Sequence, residues 1–125
     1  MPHLAHSWRF RLDRGPNWLF VRLQPDGSNG CDETELAQRV AELMDQHFTD
    51  RLVLEMYDVD LPTSLLLGQI VKLHKQVHAR GGLMRMCGAS PFTRDVLTIS
   101  RLDTRIPLFA DRFEAVRGGL PHKPR

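Results

Sequence analysis

Residues 52–82, LVLEMYDVDLPTSLLLGQIVKLHKQVHARGG, limit the folds open to this chain more than any other stretch. Leu52-Val53-Leu54 and Met56 make a nearly continuous apolar run, the pattern of a strand buried on both faces, as in parallel sheets. Asp58-Val59-Asp60 ends it. Leu66, Ile70, Leu73 and Val77 then recur at helical spacing, with Leu67 and Val71 widening the stripe, and Gln69, Lys72, Lys75 and Gln76 are predicted on the opposite, solvated side. Gly81-Gly82 supplies a glycine C-cap. Leu61 to Ser64 is therefore a strand-to-helix corner. Such a corner offers free backbone N–H groups and a partial positive charge at the carboxyl end of a parallel strand, where α/β proteins place ligands and modification sites.

The remaining segments extend this unit in both directions. Trp8, Phe10 and Leu12 alternate with Arg9, Arg11 and Asp13 as in a half-buried strand, and Asp13-Arg14-Gly15-Pro16-Asn17 turns the chain into a second strand, Trp18 to Leu23. After a polar loop, Asp32 is predicted to cap a helix reaching about His47, with Glu35 as its capping-box partner and Leu36, Ala37, Val40, Ala41, Leu43 and Met44 as its apolar face. Leu83 to Cys87 reads as a strand whose one charge, Arg85, faces the open side of the sheet. Ser90-Pro91 opens a helix with Phe92, Val96 and Ile99 as its buried side. Ile106 to Phe109 reads as an edge strand because of its internal proline, and Asp111 with Glu114 opens a last short helix ending at Gly118. The order β-β-α-β-α-β-α-β-α predicts an α/β fold: a one-sided βα superhelix with a mostly parallel sheet of about five strands, an N-terminal antiparallel edge strand and about four helices. The helices beginning near Asp32, Ser64 and Ser90 share one face, and Trp8, Phe10, Trp18 or Phe20 help to cover the open back.

At 125 residues the chain fits a single domain, with its core over about 8–117 and loosely held ends at 1–7 and 118–125. No apolar stretch has the length of a membrane span or signal sequence, so a cytoplasmic protein without membrane insertion is expected. The net charge of +2 comes from scattered Lys and Arg without interleaved aromatics, which argues against nucleic-acid binding. Cys31 and Cys87 have neither CxxC spacing nor paired histidines, so no disulfide or zinc site is expected. His74 and His78 stand four apart on the central helix but lack the intervening Glu of a metalloprotease, and no metal or other cofactor is predicted. Asp58 and Asp60 read as a solvated turn, with no partnered His or nucleophile to make them an acid/base pair. The hydroxyls Thr63 and Ser64 are placed differently: a phosphate at a helix N-terminus is favoured by the dipole and alters the surface by nearly two charges. The simpler reading is that they cap the helix.

The succession of apolar strand, Asp-Val-Asp-Leu, hydroxyl corner, Leu-Gly-Gln-Ile-Val-Lys-Leu-His-Lys, Gly-Gly-Leu-Met-Arg-Met-Cys-Gly and Ser-Pro resembles the STAS domain of anti-sigma factor antagonists. In that family the corner reads Asp-Ser-Ser/Thr-Gly-Leu-Gly. Leu97, Leu102 and Phe109-Ala110-Asp111 fall at later family positions, and the resemblance covers residues 8–117 in element order. It implies a non-enzymatic, phosphorylation-controlled module that sequesters an anti-sigma factor, often itself a Ser/Thr kinase, so that a sigma factor is released. Aligning Leu67-Gly68 with the family's Leu-Gly makes Ser64 the implied phosphoacceptor, with Thr63 as the alternative, and Leu61, Ser64, Leu65 and Leu66 the implied partner-binding residues. Thr63 stands where the family has Asp, Leu66 where it has Gly, and Leu65 where a second hydroxyl is usual. These departures favour a second reading, a STAS module without a switch serving as a subunit of a transporter or signalling assembly. A third, a small enzyme or ligand-binding domain using the corner as a pocket, lacks a nucleophile–base pair and ranks last.

Overall fold

The computed structural model describes residues 7–26 and 30–117. The expected loose ends at 1–6 and 118–125, and the tip of the polar loop, lie outside them; Ser7, also assigned to a loose end, opens the first strand. The elements are β1 (Ser7–Gly15), β2 (Trp18–Pro25), β3 (Cys31–Asp32), α1 (Leu36–Gln46), β4 (Arg51–Glu55), α2 (Ser64–Ala79), β5 (Leu83–Cys87), α3 (Pro91–Ile99), β6 (Leu108–Phe109) and α4 (Arg112–Arg117). They form one sheet in the order β3-β1-β2-β4-β5-β6. β1 and β2 are an antiparallel hairpin, and β2, β4, β5 and β6 run parallel.

The apolar run of β4 lies at the centre of this sheet and is buried on both sides, as its composition predicts. Leu52, Leu54 and Met56 join the main core with Leu19, Val21 and Leu23 of β2 and Met84 and Met86 of β5. Leu36, Val40 and Met44 of α1, Leu66, Ile70, Leu73 and Val77 of α2 and Leu97 of α3 pack onto that same face. Each fully buried side chain of this size stabilises the fold by about 1.5–3 kcal/mol, so the shared face is the dominant stabilising layer.

Four features depart from the sequence reading. First, the sheet has a sixth strand, since β3 pairs outside β1 through Ser7↔Asp32 and Trp8↔Cys31. Two residues are too few to show a period. Second, the back is not left open: Trp18, Phe20, Val53, Cys87 and Phe109 form a smaller core there with Ala115 of α4. Trp18 and Phe20 cover it as expected, whereas the hairpin register pairs Phe10 with Leu23 and so turns Trp8 and Phe10 to the main core. Arg85 does face this back, where its guanidinium lies 5.1 Å from the Trp18 ring and donates to the Ala115 carbonyl at 2.6 Å.

Third, α3 is rotated by about one residue from its expected face. Thr93 and Leu97 are buried, while Phe92 and Ile99 are exposed. The reason is polar: the Ser90 hydroxyl accepts from the Thr93 N–H at 3.1 Å, and the Thr93 hydroxyl donates to the Val59 carbonyl at 3.1 Å. Fourth, Gln69 is buried rather than solvated, because its Oε1 accepts from the Ala37 N–H at 2.9 Å and satisfies a donor in the first turn of α1. Asp32 caps a preceding 3-10 turn, Glu33–Glu35, accepting from the Thr34 N–H at 2.9 Å, and α1 itself begins after that turn, at Leu36.

Helix α2 ends as the glycine pair predicts. Gly81 has φ +77°, and the N–H groups of Gly81 and Gly82 bond the carbonyls of His78 and Val77, both at 2.9 Å. Helix α1 closes with the same hydrogen-bond pattern, but the left-handed position is taken by Phe48, with φ +53° and 93% exposure. A bulky residue is strained there, and its ring gains nothing from burial. Phe48→Gly is therefore expected to raise stability by about 0.5–1 kcal/mol after the entropy of glycine in the unfolded chain is counted. Urea denaturation measures this, and an unchanged or lower midpoint would contradict it.

Candidate functional site

The corner between β4 and α2 is built on anchors that the sequence does not advertise. Arg22 of β2 donates twice to Asp58, Nε to Oδ2 at 2.7 Å and an Nη to Oδ1 at 3.2 Å. Gln24 adds a contact at 3.4 Å. This hydrogen bonding from Arg22 holds the Asp58 carboxyl below the usual carboxylate range. Asp58 thus ties the loop to the sheet and is not half of an acid/base pair with the exposed Asp60.

Thr63 is the N-cap of α2, with φ −83° and ψ 163°. Its hydroxyl accepts from the Leu66 N–H at 3.0 Å and donates to Glu33 Oε1 at 3.1 Å. Glu33 is only 1% exposed, and its other oxygen accepts from the Trp8 indole N–H at 2.7 Å. The corner is therefore pinned to β1 and to the start of α1 through one buried carboxylate. Threonine thus caps the helix here, and a carboxylate reaches the corner from Glu33 instead of from residue 63.

Ser64 is the first residue of α2 and is exposed. Leu61 and Leu65 flank it at 73% and 42% exposure. Leu66 differs. Expected among the partner-binding residues, it is fully buried, because it begins the stripe Leu66, Ile70, Leu73, Val77, and one residue along a helix is a turn of about 100°. Its side chain points into the core and leaves the Ser64 side clear, so leucine at the family's glycine position does not obstruct that face. The Thr93–Val59 bond holds the start of α3 beside the corner, and there Phe92 is 55% exposed. Its place in the apolar period of α3 made it read as core. One turn beyond Ser64, the exposed Gly68 has nothing within 4 Å of where a Cβ would stand, so packing within this chain does not require glycine there.

The other candidates lie apart from this surface. His74 and His78 stack with ring centroids 6.0 Å apart, and no group of three or more possible metal ligands occurs among the described residues. Burial, then the neighbouring His78 and Arg105, holds His74 below its ordinary value. A depressed pKa means that the fold favours the neutral ring, so this contribution is complete above about pH 6.5 and is lost as the pH falls below it. Stability should therefore drop as the pH falls through about 6.5, and His74→Gln should flatten that drop; parallel urea midpoints for both proteins would contradict it. Burial pushes the Cys87 thiol up to about 12, which removes it as a nucleophile. Among the described residues, no helix is long and apolar enough to cross a membrane.

A mostly parallel sheet, three helices on its main face and an exposed hydroxyl at the first turn of α2 define a known arrangement. The family model of the STAS domain matches residues 22–115, and the chain belongs to that family. Solved structures share its fold. The protein TM1081 of Thermotoga maritima superposes with a TM-score of 0.75 at 17% identity, covering 94% of each chain. An anti-sigma-factor antagonist (STAS) domain protein from Planctomyces limnophilus gives 0.66 at 19% identity, over 86% of this chain and 95% of that one. The Bacillus cell fate determinant SpoIIAA, an anti-sigma factor antagonist solved in its phosphorylated form, gives 0.63 at 15% identity, over 87% and 98%.

Proposed function

We propose that this STAS domain is a non-enzymatic anti-sigma factor antagonist of the cytoplasm. It binds an anti-sigma factor that is itself a Ser/Thr kinase through Leu61, Ser64, Leu65 and Phe92, and phosphorylation of Ser64 releases that partner. The observation that carries the reading is the exposure of Ser64 between two exposed leucines at the start of α2. Thr63 is the poorer acceptor, since its hydroxyl already serves the helix cap and a phosphate on it would face the Glu33 carboxylate. SpoIIAA, which shares the fold, is known in phosphorylated and unphosphorylated forms, and that supports control by phosphorylation here.

Ser64→Asp separates folding from binding. Negative charge at a helix N-terminus favours the fold by about 0.3–1 kcal/mol. The same charge set beside the exposed Leu61 and Leu65 must be desolvated on docking without a pairing cation, a penalty on the order of several kcal/mol that outweighs the helix gain. Titration calorimetry against the anti-sigma factor should show tight binding by the wild type and Ser64→Ala and greatly weakened binding by Ser64→Asp. Equal binding by all three would contradict the switch and favour the unswitched structural module.

A further inference from the structure

The outer edge of β1 is open along most of its length. Among the described residues β3 pairs only with Ser7 and Trp8, and no strand lies outside Arg9 to Gly15. The polarity of that edge follows from the hairpin. Each β1–β2 pair sums to one register, and the Asp26 N–H bonds the Ser7 carbonyl at 3.0 Å, so the odd residues of β1 carry the hydrogen bonds to β2. Pro25, which has no N–H to give, sits opposite Trp8 in the other class. Phe10, Leu12 and Arg14 therefore turn their backbone groups outward. Unpaired groups in a row are a template for another strand.

We propose that a second copy of this chain occupies the edge, its β1 antiparallel to the first and the two-fold axis at Leu12. Charge selects this register. Centred on Leu12, Arg11 stands opposite Asp13 of the second copy and Asp13 opposite its Arg11, while Phe10 meets Arg14 and Arg9 meets Gly15. Centring on Arg11 opposes two arginines, centring on Asp13 opposes two aspartates, and centring on Phe10 sets Arg9 against Arg11 twice. Opposite charges facing each other across strands stabilise and like charges destabilise, so only the Leu12 register gains on every charged pair.

Backbone chemistry agrees. Leu12 has an outward N–H and C=O and so exchanges both bonds with its own copy; Phe10 exchanges bonds with Arg14, whose N–H leaves its present acceptor, Asp13 Oδ1 at 2.9 Å. Asp13 keeps an oxygen on Arg112 at 2.7 Å and remains exposed to a second cation. The window Arg9 to Gly15 is closed by β3 at one end and the hairpin turn at the other, which matches one copy of itself in reverse. A groove of about 400 Å³ between β1 and α1, lined by Phe10, Leu12, Leu43, Arg39, Glu42 and Gln46, leaves Leu12 37% exposed and gains a second Leu12 at its rim.

Sedimentation velocity on the full chain from micromolar to millimolar concentration, with circular dichroism to confirm folding, tests this. Wild type should form a dimer. Arg11→Asp and Asp13→Arg should each weaken it about tenfold or more, because two attractive pairs become two repulsive ones, and the doubly exchanged chain should recover it. A monomer at every concentration, or a dimer that both single changes leave intact, would overturn the proposal.

Discussion

Replacing Arg112 with alanine is expected to lower the unfolding free energy by about 3 kcal/mol, although Arg112 belongs to the last, six-residue helix. Its guanidinium holds Glu55 of β4 in a two-pronged ion pair, Nε to Oε2 at 2.7 Å and an Nη to Oε1 at 3.1 Å. It also lies 4.3 Å from the Phe20 ring and bonds Asp13. Glu55 is 2% exposed, so removing the cation strands a carboxylate in the back core. Losing one partner of a buried pair costs about 3–5 kcal/mol, and the 31% exposure of the Arg112 side chain admits water that keeps the loss near the lower end. The pairing with Glu55 also raises the Arg112 pKa above its ordinary value, so the cation is present throughout the working range. Exchanging both residues together, Glu55→Leu with Arg112→Leu, should restore most of the stability, since no charge is left unpaired. Urea denaturation of the three proteins decides it: a loss below about 1 kcal/mol for Arg112→Ala would mean that α4 is not held this way.

The second large effect separates two neighbouring leucines. Leu66→Ala should destabilise the protein by about 2–5 kcal/mol, because the removed side chain lies wholly within the main core and its loss leaves a cavity. Leu65→Ala should change stability by less than about 0.5 kcal/mol, as expected for an exposed position, yet weaken binding of the proposed anti-sigma factor partner. Denaturation and calorimetry on the pair thus give opposite patterns. A Leu65 that matters to folding, or a Leu66 that does not, would mean that α2 is rotated from the orientation described.

What the sequence shows and hides divides along physical lines. β4 and α2 are legible because burial on both faces gives an unbroken apolar run and burial on one face gives a helical period, and both signals are long. Glu33, Gln69 and Thr93 are not legible, because each is a polar residue inside the core whose partner is distant in the chain: Trp8 and Thr63 for Glu33, Ala37 for Gln69, Val59 for Thr93. A periodic reading assigns such residues to water. The same limit applies to Phe92 and Leu66, since apolar character alone does not separate a core face from an exposed one. Glu55 left one trace, a lone charge in the apolar run from Leu52 to Met56, but its partner Arg112 is 57 residues away.

Mapping phosphate on the intact chain after incubation with the proposed partner kinase and ATP tests the central claim most directly. The account predicts a single phosphate on Ser64, none on Thr63, and loss of the complex in step with modification, while Ser64→Ala stays unmodified and bound. A fully phosphorylated Ser64 that still binds, or a chain that the kinase leaves unmodified, would contradict it.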